Sequence, residues 1–182
     1  MPDPGQKQLL GADDLRRAIA RLAHEIVERN AGTEGLVLGG LRTRGIPLAR
    51  RLQARIKAYE DDDVPLGELD ITLYRDDINH RAPKTLSPTS IPVDIEDKTV
   101  ILVDDVLYTG RTIRAAMDAL IDCGRPRRVQ LLVLVDRGHR ELPIEATFVG
   151  RRVPTTEEEV VEVKLQELDG SEKVMLVERV KP

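Results

Sequence analysis

The sequence predicts an α/β fold: an open, mainly parallel twisted sheet flanked by helices, with a lid loop and a small hood formed by a C-terminal hairpin. Residues 99–103 (TVILV) and 129–135 (VQLLVLV) are nearly unbroken apolar runs, as expected of strands covered on both faces of a parallel sheet. Segments of helical spacing alternate with such runs, the order of a doubly wound sheet. The length of 182 residues is close to the common size of one domain, so residues 1–182 are expected to share a single core.

Residues 1–12 are polar and expected to be flexible. Leu15, Ile19, Leu22 and Ile26 recur at the spacing of one buried helix face, which predicts a helix over about 13–30 capped by Asp13 or Asp14. Residues 35–40 (GLVLGG) read as a strand, 41–45 as a loop and 46–59 as a helix. Residues 66–74 alternate loosely and predict a second strand. Residues 75–90 are polar, contain two prolines and show no period; a long loop of this kind in a compact domain is expected to act as a lid. The strand at 99–103 is expected to stop at Asp104-Asp105. A helix at 112–123 follows and stops at Gly124, and the strand at 129–135 stops at Asp136. Residues 146–150 add a short strand, and 160–168 with 174–180 form a hairpin around Asp169-Gly170. The chain has no internal repeat and no linker.

Charged residues make up 33% of the chain and hydrophobic residues 41%, a globular composition. No apolar run approaches the roughly 20 residues of a membrane helix, and residues 1–10 lack the regions of a secretory signal, so a soluble, cytoplasmic protein without a membrane partner is expected. Cys123 is the only cysteine, which excludes an intrachain disulfide and a multi-cysteine zinc site. The net charge of −4 argues against nonspecific coating of nucleic acid. The charge is segregated, however: residues 1–56 carry ten Lys/Arg against six Asp/Glu, leaving room for a local basic face. With only Tyr59, Tyr74, Tyr108 and Phe148 as aromatics, a stacking platform for single strands has little to build with.

In open α/β sheets, ligands bind beyond the carboxyl ends of the strands. There the sequence reads Asp104-Asp105-Val106-Leu107-Tyr108-Thr109-Gly110-Arg111-Thr112. Two adjacent carboxylates can accept hydrogen bonds from vicinal hydroxyls, the chemistry of holding a ribose. The Thr109 to Thr112 turn offers hydroxyls, a glycine and a helix N-terminus, an anion site. Taken singly, such a pair would more often cap a turn, and Asp136 could do the same. No GxxxxGK[ST] and no GxGxxG is present, so the other familiar phosphate loops are absent.

The thirteen residues 100–112 closely resemble the signature of type I phosphoribosyltransferases, which bind 5-phosphoribosyl 1-pyrophosphate (PRPP) through this loop. Leu41-Arg42-Thr43-Arg44-Gly45 is placed like that family's pyrophosphate loop. Residues 69–77 (LDITLYRDD) and 135–144 (VDRGHRELPI) resemble segments of the PyrR family, bacterial regulators of pyrimidine biosynthetic genes that retain uracil phosphoribosyltransferase activity. The resemblance covers nearly the whole chain and weakens at the two ends and around 78–88.

The resemblance implies the type I phosphoribosyltransferase fold and the reaction of uracil with PRPP to give UMP and pyrophosphate. Mg²⁺ is implied as cofactor, carried mainly by PRPP and pyrophosphate oxygens, so no dedicated metal ligands are assigned. Asp104 and Asp105 would hold the ribose hydroxyls, and Val106, Leu107, Tyr108, Thr109, Gly110, Arg111 and Thr112 the nucleotide and its 5′-phosphate. Thr43 and Arg44 would meet the pyrophosphate, Arg75 would stand at the start of the lid, whose closure would keep water from the reactive sugar, and Asp136 and Arg137 would lie near the base or the pyrophosphate. Arg17, Arg21 and His24 on the first helix, with His139, Arg140 and Arg151, would bind a stem-loop of the pyrimidine operon leader RNA, more tightly when UMP or UTP occupies the site. A homodimer or homotetramer is implied. Glu145 stands where relatives usually carry arginine, and Ala20 where several RNA binders carry threonine; an anion beside phosphates weakens binding. Three readings therefore stand side by side: a regulator with uracil phosphoribosyltransferase activity, an enzyme or nucleotide sensor with RNA binding weakened or lost, and a purine or orotate phosphoribosyltransferase sharing only the PRPP loop.

Overall fold

The computed structural model describes residues 5–74 and 89–179. Its larger sheet has the order β3-β2-β4-β5-β6, all parallel, from β2 (Leu36–Leu41), β3 (Leu66–Leu69), β4 (Thr99–Leu107), β5 (Arg128–Asp136) and β6 (Phe148–Arg152). The helices α1 (Ala12–Arg29) and α2 (Gly45–Glu60) pack against one face and α3 (Arg111–Cys123) against the other.

Two-sided coverage explains the apolar runs. Along β4, Ile101 and Val103 join the core under α1 and α2, whereas Val100 and Leu102 join the core under α3. With successive side chains pointing to opposite faces, a strand buried on both must be apolar at every position. The helices need only one stripe: Leu15, Ile19, Leu22 and Ile26 of α1 are buried as the spacing predicts. The cap differs from expectation. Gly11 is the N-cap, and Asp14 accepts its backbone N–H at 2.9 Å.

The hairpin is present as β7 (Glu159–Lys164) antiparallel to β8 (Lys173–Glu178), but the predicted strand overran its end, because residues 166–169 turn into the short helix α4 (Gln166–Asp169). The expectation of a flexible start is corrected for the described part. Residues Gln6–Leu10 form strand β1, which pairs antiparallel with β8 and completes a three-stranded hood. Polar alternation hid it: only Leu10 of this strand is fully buried, so an edge strand reads like a tail. Strand β3 is shorter than predicted and gives way to a 3₁₀ turn at Thr72–Tyr74. Arg75 and residues 75–88 of the expected lid lie outside the described residues; the far end of that segment is tied down, with Ser90 and Glu68 exchanging both backbone hydrogen bonds at 2.8 Å. Among the described residues no helix is long and apolar enough to cross a membrane.

Candidate active site

The central strand β4 does not stop at its acidic pair, as the sequence reading had it, but continues through it to Leu107. Its neighbour β2 pairs with it only as far as Val103, while β5 follows it to Leu107. Residues 104–107 therefore overhang β2, which leaves a step beside the acidic pair. The Asp104 carboxylate accepts the Asp105 N–H and the Asp105 carboxylate the Val106 N–H, both at 2.9 Å, which fixes the two rotamers before anything binds. Asp104 is 7% exposed and Asp105 half-buried, so the pair presents an acidic edge at the strand end.

Directly after the pair, residues 106–113 and Glu141 enclose a cavity of about 300 Å³. Gly110 caps α3 at φ +93, a left-handed conformation, and a Cβ there would sit 3.3 Å from Ile144. The Thr109 hydroxyl accepts the Arg111 N–H at 3.3 Å, and the Thr109 carbonyl takes the N–H groups of Glu141 at 2.9 Å and Leu142 at 3.2 Å. The loop is thus held from both sides around a helix N-terminus, where N–H groups and the helix dipole favour an anion.

The 41–45 loop lies across the step. Gly45 enters α2 so close to β4 that a Cβ would lie 2.2 Å from the Val103 carbonyl oxygen, and the Arg42–Thr43 peptide is cis. Thr43 is exposed at the rim. Arg44 is not: its Nε donates to the Val163 carbonyl and its Nη2 to Asp169, each at 2.8 Å. The guanidinium expected to meet pyrophosphate instead ties the loop to the hood. Asp169 also accepts the Leu165 N–H, and that bond together with Arg44 outweighs desolvation and holds its carboxyl below the ordinary range.

A second cluster closes the other side. Asp136 at the end of β5 accepts Nη2 of Arg140 at 2.6 Å, Nη1 of Arg152 at 3.1 Å and the Gly138 N–H at 3.1 Å. Burial pushes its carboxyl up, but those hydrogen bonds and the two guanidinium charges prevail and keep it below the ordinary value. Arg137 is only 5% exposed; it donates to the Thr155 hydroxyl and the Thr156 carbonyl and lies 3.9 Å from the centroid of the Tyr108 ring. Burial lowers its pKa. His139 hydrogen-bonds the Thr155 carbonyl at 2.6 Å and meets Tyr108 edge-on. Arg140 also donates to the carbonyls of Tyr108 and Ile144, so all three of its guanidinium nitrogens serve the loops. His139 and Arg140, expected on an RNA face, are thereby built into the wall of this site.

The other residues expected to bind RNA share the α1 surface. Arg21 pairs with Glu25 and donates to the Gly150 carbonyl at 2.7 Å, and Arg151 on β6 reaches the Leu9 carbonyl at 2.5 Å. Arg17 and His24 are exposed, and the His24 ring stacks on Tyr59 of α2 at 3.8 Å. Sequence reasoning missed Glu141, Thr155, Thr156 and Asp169, and it placed Arg152 with Arg151 among the cations toward RNA rather than on Asp136. Each acts through a partner distant in sequence, and only the position of Thr155 beyond a strand end could have signalled one of them.

Comparison with known proteins agrees with this geometry. A family model described as phosphoribosyl transferase domain matches residues 5–168. The chain is 60% identical to the "Bifunctional protein PyrR" of Thermus thermophilus over 173 residues, covering 94% of this chain and 96% of that one. It is 55% identical to the protein of the same name from Enterococcus faecalis, over 94% and 96% of the two chains. Among solved structures, a hypoxanthine phosphoribosyltransferase of Trypanosoma cruzi superposes with a TM-score of 0.73 at 17% identity, covering 96% of this chain and 97% of that one. A hypoxanthine-guanine phosphoribosyltransferase of Bacillus anthracis gives 0.70 at 21%, over 97% and 99%. At these identities the two structures share the fold.

Proposed function

The chain belongs to the phosphoribosyl transferase family and, within it, to the bifunctional PyrR proteins, and from that premise we propose that it converts uracil and PRPP to UMP and pyrophosphate and regulates pyrimidine genes by binding their leader RNA. The observation that carries the enzymatic half is the overhang of β4: a fixed acidic pair stands beside an open step, directly before an anion cup. In the reaction the bond from ribose C1 to pyrophosphate breaks, the bond to uracil N1 forms, and the N1 proton leaves. Positive charge develops on the sugar and negative charge on the leaving group, so positioning and charge stabilisation suffice and no nucleophilic side chain is needed. Asp104 and Asp105 would hold the ribose hydroxyls, the 109–112 loop the 5′-phosphate, and the exposed Thr43 rim the pyrophosphate. Arg137, packed on Tyr108, would fix the wall against which the base lies.

Mg²⁺ fits this donor set. Asp104 and Asp105 offer hard oxygens beside the place for PRPP, the donors magnesium prefers. Entering with PRPP and held against that pair, the ion would stabilise charge on the departing pyrophosphate.

For the regulatory half, exposed Arg17 and His24 on α1 support binding of leader RNA in a UMP- or UTP-dependent way by a homodimer or homotetramer. The inward commitment of Arg140 and His139, with Glu145 exposed near them, favours a second reading in which RNA binding is weakened and nucleotide chemistry remains.

The test is nucleotide formation from PRPP and Mg²⁺ with uracil, orotate, guanine, hypoxanthine and adenine in parallel, with an Asp104→Asn/Asp105→Asn double variant as control. UMP from uracil alone, lost in the variant, is the expected result. Turnover of a purine or of orotate would overturn the assignment. Saturable UMP binding without turnover would point to a nucleotide sensor. A salt titration of leader RNA binding with and without UMP tests the regulatory half.

A further inference from the structure

Parallel packing of α1 and α2 on one face of the sheet leaves a groove between them of about 600 Å³. Ala12, Ile19, Ala54 and Ala58 line it with small apolar side chains, and Arg16 and Arg55 border it from opposite helices. Arg51, held by Glu167 and Glu172 of the hood, closes one end. Toward the other end, one residue past Ala58, the Tyr59 ring stacks on His24 with an interplanar angle of 18°. Helical spacing aligns the two walls: Arg16, Ala20 and His24 follow at i, i+4 and i+8 on α1, and Arg55 and Tyr59 at i and i+4 on α2.

We propose that this groove binds an unpaired nucleotide of RNA, its base against the alanine floor or the His24–Tyr59 stack and its flanking phosphates on Arg16 and Arg55. The inference rests on the RNA-binding half of the proposed function and adds α2 to it. Unpaired bases are recognised by stacking on aromatic and imidazole rings and by guanidinium groups, and a flat apolar floor edged by cations presents both. Tyr59 is 37% exposed despite its stack, so the ring pair has surface left to offer. Among the described residues, Arg55 donates to no protein acceptor and Arg16 only to the exposed Asp13 at 3.3 Å, a pair open to solvent, whereas Arg21 and Arg51 are held more closely by carboxylates. Charge also selects the occupant: Glu172 in the lining is neutralised by Arg51, which leaves Arg55 as the uncompensated charge of the groove and Arg16 beside it, and a polyanion neutralises them where the same arginines of a second copy across a two-fold axis would not.

The experiment uses the full-length protein and a leader transcript of pyrimidine biosynthetic genes from the same genome, with its loop adenines replaced in turn by 2-aminopurine. One loop position is expected to change fluorescence on binding to the wild type. Tyr59→Ala is expected to weaken binding about tenfold and abolish that change, while Tyr59→Phe stays within about twofold of wild type. Arg55→Gln lowers affinity about fivefold and reduces the salt slope by about one. Ala54→Leu, at an exposed position, fills the groove and weakens binding with no change of charge. All four keep uracil phosphoribosyltransferase activity, which shows that they fold. Wild-type affinity and fluorescence in Tyr59→Ala and Ala54→Leu overturn the proposal alone, as does a change in sedimentation that assigns the groove to a second copy. Failure of the wild type to bind any leader transcript overturns the RNA half of the functional reading, and the groove proposal with it.

Discussion

Arg44 and Asp169, 125 positions apart in sequence, are joined by an ion pair of 2.8 Å that fastens the loop entering α2 to the hood. The same guanidinium takes the Val163 carbonyl, so one side chain bridges β7, α4 and the rim of the site. The loop proposed to meet the pyrophosphate is thus held from above by the hood and from below by Gly45 against β4.

Asp169→Ala removes the clasp while leaving every group at the proposed ribose and phosphate sites in place. The expected result is a rise of about tenfold in KM for PRPP with KM for uracil nearly unchanged, since small displacements of a positioning loop cost this much. Initial rates at varied PRPP and uracil measure it. Equal changes in the two constants would show that Asp169 supports the hood in general.

Gly45→Ala places a methyl group within 2.2 Å of the Val103 carbonyl oxygen, which is backbone and cannot swing aside. A loss of about 3 kcal/mol in urea unfolding is expected, with loss of turnover through displacement of β4 at the acidic pair. Wild-type stability in this variant would mean that the strand and helix are farther apart.

The Asp136 cluster has a defined acid signature. Its carboxyl is held below the ordinary value of 3.8, so the folded state binds this proton more weakly than the unfolded chain. The stabilisation is therefore complete above about pH 4 and is lost as pH falls through the lower, native value. Asp136→Ala is expected to cost about 2 kcal/mol at pH 7, a figure kept modest because Arg152 is largely exposed. The gap between wild type and variant should shrink in acid; denaturation at pH 7, 4 and 2.5 follows it, and a gap that widens would contradict the assignment.

Arg137→Lys keeps the charge but gives up the planar stack on Tyr108 and the forked contacts to Thr155 and Thr156. A loss of about 1–2 kcal/mol in thermal unfolding and a higher KM for uracil are expected. Unchanged kinetics would remove Arg137 from the wall of the base site.

Much of this protein was legible in its residues. The runs at 99–103 and 129–135 had to be strands buried on both faces, and the α1 stripe had to face the core, because periodicity alone fixes which side chains can be hidden. The Asp104-Asp105 pair and the Thr109 to Thr112 turn were equally plain, since they are consecutive residues whose chemistry is local. Strand β1 was missed because an edge strand buries little and so leaves no apolar pattern. The protein contacts of Arg44 and Arg140 were not legible for a different reason: an arginine near a strand end reads as free for phosphate until its acceptors are known. Those acceptors, Asp169 for the one and Asp136 and the Tyr108 carbonyl for the other, are set by tertiary packing.

The sequence by itself determined the class of fold, the strand that carries the acidic pair and the anion loop beside it, because each depends on short-range periodicity or adjacent groups. Only the tertiary structure decided that β4 outruns β2 to open the step, that the hood grips the 41–45 loop, and that His24 and Tyr59 share a surface. Those outcomes depend on register between strands and on contacts between elements far apart in the chain, and no local pattern of residues encodes the distance across such a contact.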